Sequence, residues 1–493
     1  MKHAKHVIVI GAGVGGLASA LRLLAMGLRV TVLEAQSTPG GKMRTVPSTA
    51  GPVDAGPTVL TMRWVFDDLF ATLGERLDDH VNLTKADILA RHFWSDGTTL
   101  DLCADPTQSR ANVAAALGTG AATQFSRFSD RAARLFNAFD APMMRAAVPS
   151  SAALTKTVMG DPSLLAAMAP HKTLAGLLSS SFSEPKLRQL FGRYATYVGG
   201  SPYLSPALLS LIWHAEGTGV WAVKGGMHAL AQAMANLIRA KGGTIEFGSP
   251  VTAVSKTTDG VIYTANGKTR IADAAVFNGD PRALTQVLLG ADCIDAVPRS
   301  AVEPRSLSAN VMAFAATPSG PTLSHHNVFF GDDPKREFDP LAQGRDPEDP
   351  TLYVCAQDRG GGQIPTGPER FEIIMNAPPC ADTTTRNEQK ATSCQTQITA
   401  RLAHMGLTFS STPDATSLTT PTDFHQLFPA SLGSLYGRSP HGMTAGLKRP
   451  TARTAIPGLY LAGGGAHPGA GVPMATLSGM HAAEAIRQDL GLT

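Results

Sequence analysis

Along the first thirty-four residues the spacing of hydrophobic positions changes in a definite order. Val7-Ile8-Val9-Ile10 is a continuous β-branched run, the pattern of a parallel strand buried on both faces. Leu17, Ala20, Leu21 and Leu24 then recur on one helical face, and Gly27 stands where that helix should stop. Val30-Thr31-Val32-Leu33 reads as a second strand, with Glu34 at its end. Between the first strand and the helix lies Gly11-Ala12-Gly13-Val14-Gly15-Gly16. Strand, glycine turn, helix, strand and terminal acid in this order predict a dinucleotide-binding unit. Gly11 permits the tight turn, Gly13 leaves room for pyrophosphate, and Gly16 lets helix and strand pack closely. The helix start offers free N–H groups to the phosphates, and Gly15 lies within that first turn. Glu34 is placed to accept hydrogen bonds from ribose hydroxyls and to repel a 2′-phosphate.

Similar alternation returns twice. Gly225-Gly226-Met227 leads into a helix ending near Ala240. After the turn Lys241-Gly242-Gly243, strands are predicted at Ile245 to Phe247, Val251 to Val254, and a run ending in Phe277-Asn278-Gly279-Asp280-Pro281. Near the C-terminus, Leu459 to Ala462 reads as a short buried strand. A glycine-dense loop follows from Gly463 to Gly471, then a helix from about Met474 through Ile486.

Composition narrows the class. The chain has 493 residues, 43% hydrophobic and 16% charged, enough for two or three folded regions and light in charge for a soluble protein. A net charge of +3 gives no basic field for nucleic acid. No run of 18 apolar residues predicts a membrane span, and the N-terminal apolar run is too short for a signal peptide. The five cysteines include no Cys-x-x-Cys pair. They read as reduced thiols of a cytoplasmic protein, with neither disulfide nor metal.

Pro39-Gly40-Gly41-Lys42-Met43-Arg44-Thr45 follows the second strand. It resembles the Gly-Gly-Arg/Lys-x-x-Ser/Thr extension of flavoproteins of the amine oxidase and phytoene desaturase superfamily. The resemblance implies FAD as the cofactor, with Gly40 and Gly41 against the dinucleotide and Lys42 and Arg44 neutralising pyrophosphate or contacting the flavin. It places Val251 against adenine. It also places the loop carrying Gly463, Gly464, Pro468, Gly469, Gly471 and Val472 under the flavin ring. Gly464 stands where many of these flavoproteins have an acid for the ribityl chain; carotenoid desaturases tend to lack that acid.

The implied fold class is α/β, a Rossmann-type FAD-binding domain with an inserted mixed α+β substrate domain. The FAD-binding domain would be discontinuous, from 1–75, 220–290 and 448–493, with 76–219 and 291–447 forming the substrate domain.

Asp54-Ala55-Gly56-Pro57-Thr58-Val59-Leu60-Thr61-Met62 and His467-Pro468-Gly469-Ala470-Gly471-Val472-Pro473 are typical of the bacterial phytoene desaturase family. The chain is most similar to its hydroxycarotenoid 3,4-desaturase branch. Ala90 to Trp94, Leu190 to Gly200, His325 to Phe330 and Phe371 to Pro378 carry that likeness. It implies introduction of a C3–C4 double bond into a 1-hydroxylated or 1-methoxylated acyclic carotenoid in photosynthetic bacteria. Oxygen or a quinone would reoxidise the flavin. C4 is allylic to the polyene, so charge arising there spreads over the conjugated chain. Such chemistry asks for orientation and exclusion of water more than for a strong base, and no catalytic acid or base is singled out.

Other carotenoid desaturases and isomerases, flavin amine oxidases and non-catalytic GDP-dissociation or escort proteins share this scaffold. Intact Gly11, Gly13, Gly16 and Glu34 favour a flavoenzyme. Phe191, Tyr194, Tyr197 and Trp213 read equally as core or pocket aromatics. His325 and His326 read as loop or surface residues. Segment 141–183 is rich in Met and Leu with only four charged residues, and is expected to touch a membrane surface.

Overall fold

The computed structural model describes residues 4–258, 260–380, 385–411, 413 and 417–492. Segments from the start, middle and end of the chain meet in one five-stranded parallel sheet. Its order is Leu459–Leu461, Ala274–Phe277, His6–Ile10, Arg29–Leu33 and Thr244–Glu246. All five residues of His6–Ile10 are buried, as expected of the central strand. Helices Val14–Ala25 and Val472–Asp489 pack so closely that a Cβ on Gly479 would lie 2.1 Å from the Gly15 carbonyl oxygen. The Ser19 hydroxyl donates to the Gly479 carbonyl across this contact, at 3.0 Å. Val251–Thr257 is a strand but belongs to a separate antiparallel sheet with Gly260–Ala265 and Lys268–Ala272.

A second, seven-stranded mixed sheet runs in the order Leu418–Thr419, Ser308–Ala316, Glu369–Ala377, Leu352–Ala356, His326–Phe329, Ile88–Phe93 and Thr99–Cys103. Phe314, Val354, Phe371, Ile373 and Met375 on one face bury against Ala391, Ile398 and Leu402 of helix Glu388–His404. Ala313, Glu372, Cys355 and His326 lie on the other face.

Helices beside that sheet enclose an aromatic core of Phe125, Phe128, Phe182, Phe191, Tyr194 and Trp213. Phe191 stacks on Phe182 at 5.4 Å and meets Trp213 edge-on at 5.6 Å. These are core rings, each contributing about 1.5–3 kcal/mol by burial. The Tyr194 and Tyr197 hydroxyls donate to the buried Glu216 carboxylate.

One expectation is corrected. His326 opens a strand and is 2% exposed, because the sheet, not the loop before it, takes up its backbone. Its ring packs edge-on against His325, at 4.4 Å. Segment 141–183 is not uniformly exposed: Leu164, Leu174, Leu177 and Leu178 are buried. Val148, Met159 and Leu165 face outward, and helix Ser151–Gly160 buries no residue. Among the described residues no helix is long and apolar enough to cross a membrane, and Cys103, Cys293, Cys355 and Cys394 are free thiols.

Candidate active site

Two glycine loops converge at the carboxyl end of the parallel sheet. Gly11 has φ +100° and Gly463 φ +101°, conformations that glycine alone adopts without strain. A Cβ on Gly15 would lie 2.7 Å from the Gly463 nitrogen, so the two loops touch. Asn278, at the end of its own strand, holds them: its Nδ2 donates to the Gly11 carbonyl at 3.2 Å. A Cβ on Gly13 or Gly16 would meet that same amide at 2.8 or 2.9 Å. The glycines at 13 and 16 therefore make room for Asn278 as well as for a ligand. Helices Val14–Ala25 and Val472–Asp489 begin at Gly13 and Gly471 with no side-chain cap, so N–H groups of both first turns lack an intrahelical or capping partner.

The acid at the end of the second strand is buried and used. One oxygen of Glu34 accepts from the Ala12 amide at 2.6 Å and the other from Gln36 at 2.8 Å. Each carboxylate oxygen keeps one further lone pair, suited to a ribose diol. The chain at 248–251 runs beside it: the Ser249 amide donates to the Glu34 carbonyl at 2.8 Å, which brings half-buried Val251 next to this end of the sheet. Glycine crowding, uncapped helix starts and remaining acceptors on Glu34 together fit a dinucleotide.

The Gly40-Gly41 turn closes over the first loop. The Gly40 amide donates to the Ala12 carbonyl at 2.8 Å, and a Cβ on Gly41 would lie 3.2 Å from the Gly13 Cα. Lys42 is half-buried and its Nζ donates to the Leu435 carbonyl at 2.5 Å. Burial holds its ammonium down to about 8, with Asp280 opposing and Arg305 and Arg449 assisting. Arg44 points to the second sheet: it donates to the Thr419 hydroxyl at 2.6 Å and lies over Phe424.

Three positioning residues escaped the sequence reading. Asp54 receives the Met227 and His228 amides and so fixes the start of helix Met227–Ala240. Burial raises its pKa and those amides lower it. Arg449 donates to the carbonyls of Gly464, Tyr436 and Arg438, tying the C-terminal loop to the loop that receives Lys42. His467, lowered to about 4 chiefly by burial, donates from Nε2 to the Ala146 carbonyl at 2.8 Å. Gly469 and Gly471 have φ +143° and +107°, and Val472 starts the last helix. Asp54 and Arg449 carried no periodic signal; their roles arise from contacts more than a hundred residues away or between loops.

Residues 14–487 match the model of the family described as flavin containing amine oxidoreductase. The hydroxyneurosporene desaturase of Cereibacter sphaeroides is 56% identical over 486 residues, 98% of each chain. That of Rhodobacter capsulatus is 47% identical over 99% of each. A putrescine oxidase triple mutant, 15% identical, superposes over 98% of this chain and 99% of its own, with a TM-score of 0.61, which supports the fold. The family match over residues 14–487 and the near-complete likeness to hydroxyneurosporene desaturases place this FAD-dependent oxidoreductase in the flavin-containing amine oxidoreductase family, among its carotenoid desaturases.

Proposed function

We propose that the chain removes two hydrogens across C3–C4 of a 1-hydroxylated or 1-methoxylated acyclic carotenoid such as 1-hydroxyneurosporene. The observation that carries this reading is the 56% identity, over 98% of both chains, to a hydroxyneurosporene desaturase. FAD, when bound, supplies the acceptor for the hydrogen leaving C4. The chain's own residues bind and orient. The Gly11–Gly16 and Gly463–Gly471 loops, with Glu34, Gly41 and Val251, hold the dinucleotide, and Lys42 follows the Gly40-Gly41 turn with its Nζ on the Leu435 carbonyl. Segments 1–75, 220–290 and 448–493 make up the FAD-binding domain. The face of the seven-stranded sheet opposite helix Glu388–His404, within 76–219 and 291–447, closes the substrate chamber.

The carotenoid reaches the chamber from a membrane surface. Val148, Met159 and Leu165 project from segment 148–165, at 58%, 75% and 52% exposed. The start of this segment is tied to the cofactor side: His467 and His481 donate to the Ala146 and Met144 carbonyls. An exposed apolar helix anchored there suits delivery of a substrate that does not dissolve in water. Oxygen or a membrane quinone reoxidises the cofactor. The test is incubation of FAD-loaded protein with 1-hydroxyneurosporene and each acceptor. A product two hydrogens lighter with red-shifted absorption is expected; recovery of unchanged substrate with both acceptors overturns the reading.

A further inference from the structure

Every buried carboxylate but one has partners among the described residues. Glu34 and Asp54 receive backbone amides. Glu216 receives two tyrosines, Glu337 receives Asn376 and Thr351, Asp349 receives two amides, and Glu369 pairs with Arg359. Glu372 is 0% exposed, and neither of its oxygens has a hydrogen-bond partner. Leaving such a group buried and unpaired is costly, so a partner supplied by a ligand has a physical rationale.

Its place in the sheet says which ligand. Ala313, Glu372, Cys355 and His326 form one row of cross-strand neighbours on the face away from helix Glu388–His404. The row begins at the cofactor side: Ala313 packs on Val53 and Ala55, and the Ala55 amide donates to the Arg44 carbonyl. Burial first, then the nearby Asp54, raise the Glu372 pKa well above the ordinary carboxylate value. Arg44 and the Gly56 amide act against that shift. Arg44 makes no ion pair within 4 Å of Glu372, and its Nε is itself unpartnered. The Gly56 amide does not reach hydrogen-bond geometry. Cys355 is its cross-strand neighbour, and Cys355, Tyr353 and Tyr436 interact electrostatically with this carboxyl. The upward direction of its pKa favours the protonated carboxyl, which can both donate and accept.

The tertiary oxygen at C1 lies within a few bonds of the C3–C4 bond that reacts. Whatever recognises it must stand beside the cofactor and not along the path of the polyene. Glu372 meets that condition. His326, whose Nε2 is also unpartnered, lies two strands further off, roughly 10 Å. We propose that the Glu372 carboxyl hydrogen-bonds the oxygen at C1 of the substrate and thereby selects hydroxylated or methoxylated ends over bare ones. A methoxyl only accepts, and the acid's O–H serves it; a hydroxyl uses either direction. This rests on the substrate class proposed above.

The test compares wild type, Glu372→Gln and Glu372→Leu, each with FAD bound, on 1-hydroxyneurosporene and neurosporene. Wild type should prefer the hydroxylated substrate. Glu372→Leu should lose about tenfold to hundredfold in kcat/KM on it, seen mainly in KM, with no loss on neurosporene. Glu372→Gln, which still donates and accepts, should recover most of the preference. An unchanged preference in Glu372→Leu overturns the proposal, as does an equal fall in kcat on both substrates, which would mark Glu372 as a proton acceptor. Should the leucine variant not fold, infrared difference spectra of wild type decide. The C=O stretch of the buried acid, identified by its loss in Glu372→Gln, should shift on binding 1-hydroxyneurosporene and not neurosporene; no shift overturns the assignment. Wild type inactive on the hydroxylated substrate but showing that shift refutes the proposed reaction alone.

Discussion

Gly15→Ala tests whether the two ends of the chain form one cofactor seat. The added Cβ would stand 2.7 Å from the Gly463 nitrogen and 2.8 Å from both the Gly463 Cα and Asn278 Oδ1. Ordinary contact begins at 3.4 Å, so the Gly463 backbone must retreat by 3.4 − 2.7 = 0.7 Å. Gly15 itself has no positive φ, so the effect is contact and not backbone strain. Overpacking of this kind costs about 1–3 kcal/mol. The cost falls on the alignment of the two uncapped helix starts. If it is borne by the liganded state, FAD affinity drops about tenfold to hundredfold. The assay is titration of FAD-stripped protein, read by quenching of flavin fluorescence, with circular dichroism to verify folding. Gly120→Ala is the control, since a Cβ there meets nothing within 4 Å. Affinity of Gly15→Ala within about twofold of wild type would refute the joint seat.

Replacing Val148, Met159 and Leu165 together by Ser should release the protein from liposomes into the supernatant without lowering its unfolding temperature. Replacing Leu164, which is 3% exposed, should lower that temperature instead. For His467 the folded pKa is about 4 against 6.5 ordinarily. The unfolded chain binds its proton first as pH falls, so this group's stabilising share is complete above 6.5 and is lost toward 4, on the order of 3 kcal/mol. Urea unfolding at pH 7 and pH 4.5 should show wild type losing more stability than His467→Gln; parallel losses contradict the burial argument.

The cofactor unit is legible in the sequence because its signals are local. A β-branched run needs burial on both faces, and a glycine at φ +100° tolerates no substitute. The strand Leu459–Leu461 and the helix Met227–Ala240 stand where the hydrophobic pattern puts them. Periodicity names an element and not its neighbours, which is why Val251 lies on a strand of a different sheet. Charge has no direction in a sequence either: Lys42 and Arg44 sit in one motif, yet Lys42 turns to Leu435 and Arg44 to Thr419. Glu372 lies within a string that resembles the desaturases, flanked by apolar residues on a strand. Nothing in that pattern tells a paired carboxylate from an unpaired one; only the register of the sheet and the absence of a partner do. His326 departs from its sequence expectation for a related reason, since two adjacent histidines look polar until one of them enters a buried strand.

The central claim is that this flavoenzyme desaturates a carotenoid end that carries oxygen at C1. It is tested most directly by competition in one vessel. FAD-loaded protein is given equal amounts of 1-hydroxyneurosporene and neurosporene, and the products are separated and identified by mass and absorption. The account predicts that 1-hydroxyneurosporene loses two hydrogens at C3–C4 well ahead of neurosporene, which is consumed only slowly. Equal consumption of both would contradict it.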